Sequence, residues 1–121
     1  MKWRPSTETE IREEINSSWE RMSLAQRKLW DVIKINPEKW SQDPWGNEGG
    51  GFWVVAIFGI TVIWYNDIEE GFNRSTYETH GVISEYWCNQ DKLEWTLQHV
   101  LDEIKEGVPS GMYAGPPQPI A

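Results

Sequence analysis

The chain has 121 residues, enough for one domain whose folding hides about two-thirds of the unfolded chain's surface, so no second domain or disulfide staple is needed. A lone cysteine, Cys88, excludes an internal disulfide. With no basic, apolar, small-residue leader pattern at the start, a cytoplasmic setting is expected. The net charge of −8 opposes phosphate contacts, so direct nucleic-acid binding is not expected.

Thr7 and Glu10 have capping-box spacing, and Ile11, Ile15, Trp19 and Met22 follow at intervals of four and three, which predicts a helix over 8–22. Ser23 and Gln26 repeat the pattern before a second apolar stripe of Leu24, Leu29, Val32 and Ile33, stopped at Asn36-Pro37. The residues leave two helices and one kinked helix equally open within a helical region of 1–36. Residues 37–51 hold Pro37, Pro44, Gly46 and the Gly49–Gly51 run, which reads as an irregular crossing pinned by Trp40 and Trp45. The glycines follow no predicted strand and lack the Lys-Ser/Thr signature of a phosphate loop, so they predict a hinge or a close-packing point.

The apolar centre FWVVAIFGITVIWY, Phe52 to Tyr65, is too short for a membrane span, which wants about twenty residues. Gly59 as first residue of a two-residue turn predicts a β-hairpin with strands near 52–58 and 61–67. Uninterrupted alternation puts Val54, Ala56, Phe58, Thr61, Ile63 and Tyr65 on one face, and Trp53, Val55, Ile57, Val62 and Trp64 on the other. Both faces are apolar and must be covered, by the helices or by a homodimer partner. Alternation over Val82–Trp87 predicts a third strand. Asn89 is the expected cap of a last helix over 89–106, with Leu93, Leu97, Val100, Leu101 and Ile104 as its stripe and Gly107 as its end. The fold expected for 1–107 is α+β: N-terminal helices, a three-stranded mainly antiparallel sheet over 52–87 built on the hairpin, and a C-terminal helix packed on it. The Pro/Gly-rich, uncharged tail 108–121 is expected to be disordered.

Charge is divided unevenly. Residues 1–40 balance seven acids against eight bases, whereas 66–106 hold ten acids against Arg74, Lys92 and Lys105. The densest polar stretch, Asn66-Asp67-Ile68-Glu69-Glu70-Gly71, leaves a buried strand, and loops on rigid elements are where binding concentrates. Asp67, Glu69 and Glu70, with Tyr65, Tyr77 and Trp87 as aromatic anchors, are therefore the expected binding residues for a protein partner of basic character. The nine tryptophans, Trp3, Trp19, Trp30, Trp40, Trp45, Trp53, Trp64, Trp87 and Trp95, fit equally a buried aromatic core and a gripping surface.

Catalytic signatures are thin. The chain carries no paired-cysteine or HExxH zinc pattern, nucleophile elbow, P-loop or dinucleotide fingerprint, so no catalytic residue, metal or cofactor is expected. The reading is a small acidic interaction module with an inhibitor, immunity-type or scaffold role. The alternative is an aromatic-lined small-molecule pocket or minor enzyme that uses His80, Cys88 or His99.

Overall fold

The structure, a computed structural model, describes residues 3–107, so the expectation for the tail lies outside the described residues. Both capping boxes form. Thr7 and Ser23 each accept the N–H of the third helical residue, while Glu10 and Gln26 reach back to the cap N–H, giving α1 (Glu8–Arg21) and α2 (Leu24–Ile33). Met22, extended at φ −69° and ψ 144°, separates the two helices. Strands β1 (Lys34–Trp40), β2 (Phe52–Phe58), β3 (Thr61–Asn66) and β4 (Gly71–Thr76) form an antiparallel sheet in chain order, and α3 (Leu93–Glu106) closes the fold.

The described residues therefore form a four-stranded sheet, and the α+β class holds: the two hairpin strands are those expected, flanked by β1 and β4 in place of a strand at 82–87. β1 lies within the stretch read as helix end and irregular crossing. Pro37 cannot donate to a ladder, but β1 is an edge strand, and a register shift between Lys34 and Glu38 absorbs the irregularity. β4 hides behind a polar sequence, because Asn73, Arg74 and Ser75, which alternate between its two covered faces, are buried with polar partners. Val82–Trp87 makes no strand. Apart from a single bridge from Val82 to Ser41, this segment packs Ile83 and Tyr86 onto the sheet face, where no strand edge is offered.

The central hairpin turns as expected, with Gly59 at φ +57° as the first residue of a two-residue turn, a conformation that an L side chain resists. Alternation in β2 is interrupted. The register slips between Val54 and Ala56, so Val55 and Ala56 face the same way, a β-bulge that flips the strand's first half. Trp53 and Val55 thus join Ala56, Phe58, Ile63, Tyr65 and Phe72 beneath the helices, while Phe52 and Val54 join Ile57, Val62 and Trp64 on the other face.

The helix side is sealed by Ile11, Met22, Trp30, Ile33, Leu93 and Leu97. The opposite side is sealed by the connections: the Trp64 ring lies 4.8 Å from Phe52 and 5.9 Å from Tyr86, and Trp45 stacks on Tyr86 at 5.0 Å. The chain itself thus covers both faces. Of the tryptophans, Trp30, Trp40 and Trp64 are core, and Trp3, Trp45 and Trp95 are exposed. Three expected stripe residues, Leu24, Val32 and Ile104, are also exposed.

Two details set the end of the sheet where β3 meets β4. Gly71 allows residues 89–91 to pass close by, since a Cβ there would stand 2.3 Å from the Asn89 carbonyl oxygen; the Phe72 N–H donates to Asp91 at 2.8 Å. Asn89 is thereby a β4 partner, its N–H donating to Asn73 Oδ1. The cap of α3 falls on Lys92, with no side-chain cap bond.

Candidate functional site

The β3–β4 turn is organised by Asn66, which is fully buried. Its Oδ1 accepts the N–H groups of Ile68 (3.0 Å) and Glu69 (3.2 Å), and its Nδ2 donates to the Tyr86 hydroxyl and the Trp87 carbonyl, both at 2.9 Å. All four hydrogen-bonding positions of the amide are used. The turn is thereby tied to the loop beneath the sheet. Glu70 closes it at φ +59°, the left-handed region, and is exposed.

Against this turn lies an open cleft of about 320 Å³ lined by Ser6, Glu10, Ile11, Glu13, Glu14, Ser17, Tyr65 and Glu70. Glu10, Glu13, Glu14 and Ser17 fall at i, i+3, i+4 and i+7 and so share one side of α1. Glu10 is committed to Arg4, whose guanidinium donates to both carboxylate oxygens at 2.8 and 2.9 Å; these bonds and the Thr7 N–H hold Glu10 down at a pKa of about 2. Among the described residues Glu13, Glu14 and Glu70 make no ion pair within 4 Å, although Glu14 lies within the field of the Arg21 guanidinium, which is itself bonded to Glu94.

Tyr65 forms the floor. It is 8 % exposed, its ring meets Phe72 edge-on at 4.9 Å, and its hydroxyl has no hydrogen-bond partner among the described residues. Burial, then the fields of Glu14, Glu70, Asp67 and Glu10, push its pKa up to about 12, so the phenol is neutral at physiological pH.

Only part of the expected binding set converges here. Tyr65 and Glu70 line the cleft, and half-exposed Glu69 sits beside Glu70 in the turn. Asp67 is buried: its Oδ2 accepts the Ser6 N–H at 2.8 Å, its carbonyl accepts the Trp3 indole N–H at 2.9 Å, and its Oδ1 is buried without a partner. Burial pushes its carboxyl above the usual range. Asp67 is thus a clamp on the segment leading into α1, not a surface charge. Tyr77 and Trp87 pack on the opposite side of the sheet, Tyr77 edge-on to Trp40 at 5.1 Å with its hydroxyl donating to the Gly59 carbonyl at 3.3 Å. Residues of α1 were missed because charge was counted by segment: a balanced N-terminal third conceals a carboxylate stripe that its i, i+3, i+4 spacing would have revealed.

The alternative residues are scattered. His80 rests on Trp40 at 4.6 Å with Nε2 3.2 Å from Glu38 Oε1, and His99 lies with Nδ1 3.9 Å from Asp91 Oδ2. Burial pushes the Cys88 thiol up, the opposite of an activated thiolate. Among the described residues no group of three or more His, Cys, Asp or Glu is placed to hold a metal ion, and no helix is long and apolar enough to cross a membrane. A larger open groove of about 700 Å³ runs between α1, the end of α2 and the start of β1, with Ile15, Trp19, Trp30 and Ile35 among its lining. None of His80, Cys88 and His99 lines either space. Compared with models of protein families, with curated proteins and with solved structures, the chain matches none.

Proposed function

We propose that this protein is a small interaction module that binds a basic surface of a partner protein at the cleft between α1 and the β3–β4 turn, acting by occlusion or scaffolding rather than turnover. The observation that carries this reading is the gathering of Glu13, Glu14 and Glu70, unpaired among the described residues, around one concave site. Like charges held together on a rigid scaffold repel one another, and a cationic partner relieves that repulsion and is steered toward it. Glu69 extends the acidic rim, while Tyr77, Trp87 and Asp67 serve the fold.

The test is association kinetics with a blocked arginine–glycine peptide against a glutamate–glycine control. Neutralising Glu13, Glu14 and Glu70 together to Gln is expected to slow association severalfold at low salt. The difference is expected to vanish at high salt, where screening acts over less than the ~8 Å of physiological ionic strength. Equal rates for the two peptides at low salt would refute the reading. The second reading, a small-molecule pocket, draws on the 700 Å³ groove, whose volume is in the range of ligand sites and whose lining includes Trp19 and Trp30. A ligand screen that shifts the Trp19 indole resonance and no cleft residue would favour it.

A further inference from the structure

We propose that the group this cleft accepts is the guanidinium of a partner protein's arginine side chain, with the Tyr65 hydroxyl as the acceptor at its base; this rests on the basic-partner reading above. Acidity alone would not single out a guanidinium. The deciding feature is Tyr65: more than nine-tenths buried, lining the cleft, and with an oxygen that bonds to nothing among the described residues. The Tyr65 ring is buried but its oxygen is not: among the described residues the one buried side-chain polar atom left without a partner is Asp67 Oδ1. The phenol oxygen is therefore open to solvent, and a donor that enters the cleft takes the place of water on it.

The donor must be a cation with several N–H groups. The carboxylates are not placed to converge on a metal ion, and the cleft, at about 320 Å³, has room for far more than one ion. Its acceptors come from separate elements: Glu13 and Glu14 on α1, Glu70 on the turn, Tyr65 on β3. A guanidinium presents five N–H donors in a rigid plane, able to take a carboxylate with one edge while another N–H reaches the phenol oxygen. An ammonium has three donors around one point and holds its water more tightly, which suits dispersed acceptors less well. The negative field and burial that keep the phenol protonated also keep its oxygen available as a neutral acceptor.

Labelled blocked peptides of glycine and serine carrying one arginine, lysine or citrulline, followed by fluorescence anisotropy on the intact chain, test the assignment. The arginine peptide is expected to bind most tightly. Tyr65→Phe keeps the ring against Phe72, so the melting temperature should hold while arginine-peptide affinity falls about tenfold and the margin over lysine shrinks. Glu70→Gln, exposed in the turn, should lower affinity without unfolding the chain. If arginine and lysine peptides bind equally, salt-sensitively and indifferently to Tyr65→Phe, the guanidinium assignment is overturned while the basic-partner reading stands. If no peptide binds in a charge-dependent way, both are overturned. Agmatine, a free guanidinium compound, should compete poorly; competition as strong as that of the unlabelled arginine peptide would overturn the assignment to a protein side chain.

Discussion

Asn66→Ala is expected to be among the most damaging small substitutions in this protein, although the residue is polar and belongs to the turn stretch that composition marks as solvated. The side chain is fully buried and makes four hydrogen bonds, two to the N–H groups of Ile68 and Glu69 and two to the Tyr86 hydroxyl and the Trp87 carbonyl. Each such bond is worth about 1 kcal/mol net, and losing all four without replacement should cost about 3–4 kcal/mol. That is a large share of a total stability of about 5–15 kcal/mol. For a chain of this size it corresponds to a fall of roughly 12–16 °C in Tm. Urea titration followed by tryptophan fluorescence, paired with a thermal melt by circular dichroism, gives both values. A loss below about 1 kcal/mol would refute the reasoning, because it would mean that the turn and the 86–88 loop hold their positions without the amide that joins them.

Three further outcomes are expected. The folded-state carboxyl of Asp67 lies above its ordinary pKa, so its favourable contribution is complete below the ordinary value and is lost as pH rises through the raised one. Asp67→Asn, which keeps an acceptor for the Ser6 N–H, should therefore gain on the wild type between pH 3 and pH 7 in urea titrations, and a gap independent of pH would contradict this. Glu70→Gly relieves a left-handed conformation that costs about 1–2 kcal/mol, less the entropy glycine adds to the unfolded chain, so stability should rise by up to about 1 kcal/mol while affinity for a basic peptide falls. Val55→Asp should abolish soluble folding, since Val55 is fully buried beneath the helices, whereas Ile57→Asp, half-buried on the other face, should fold with a lowered Tm; equal effects would argue against the bulge.

Elements whose stabilising rule is local were legible in the sequence. Thr7–Glu10 and Ser23–Gln26 announce both helix starts, Gly59 announces the hairpin turn, and Gly107 ends α3 in the left-handed region at φ +73°. Elements that depend on partners far along the chain were not. β4 reads as loop because Asn73 and Arg74 are buried against Asn89 and Glu103, sixteen and twenty-nine residues away, and no composition rule anticipates those pairings. The bulge at Val55 is invisible for a similar reason: the segment is apolar at every position from Phe52 to Phe58, so no polar residue marks the slip. Of the residues expected for binding, Tyr65 and Glu70 line the candidate cleft and Glu69 sits beside Glu70 in the turn. Asp67, read from the sequence as part of the polar turn, is buried, because Trp3 and Ser6 bond to it from more than sixty residues away.

The most direct measurement of the central claim is a ¹⁵N–¹H correlation map of the intact chain during titration with the blocked arginine–glycine peptide at low salt. The account predicts that the largest shifts fall on Glu13, Glu14, Ser17, Tyr65 and Glu70, and that they collapse as salt is added. Shifts centred on the α3 acids Asp102 and Glu106, or on the Trp19–Trp30 groove, would contradict it.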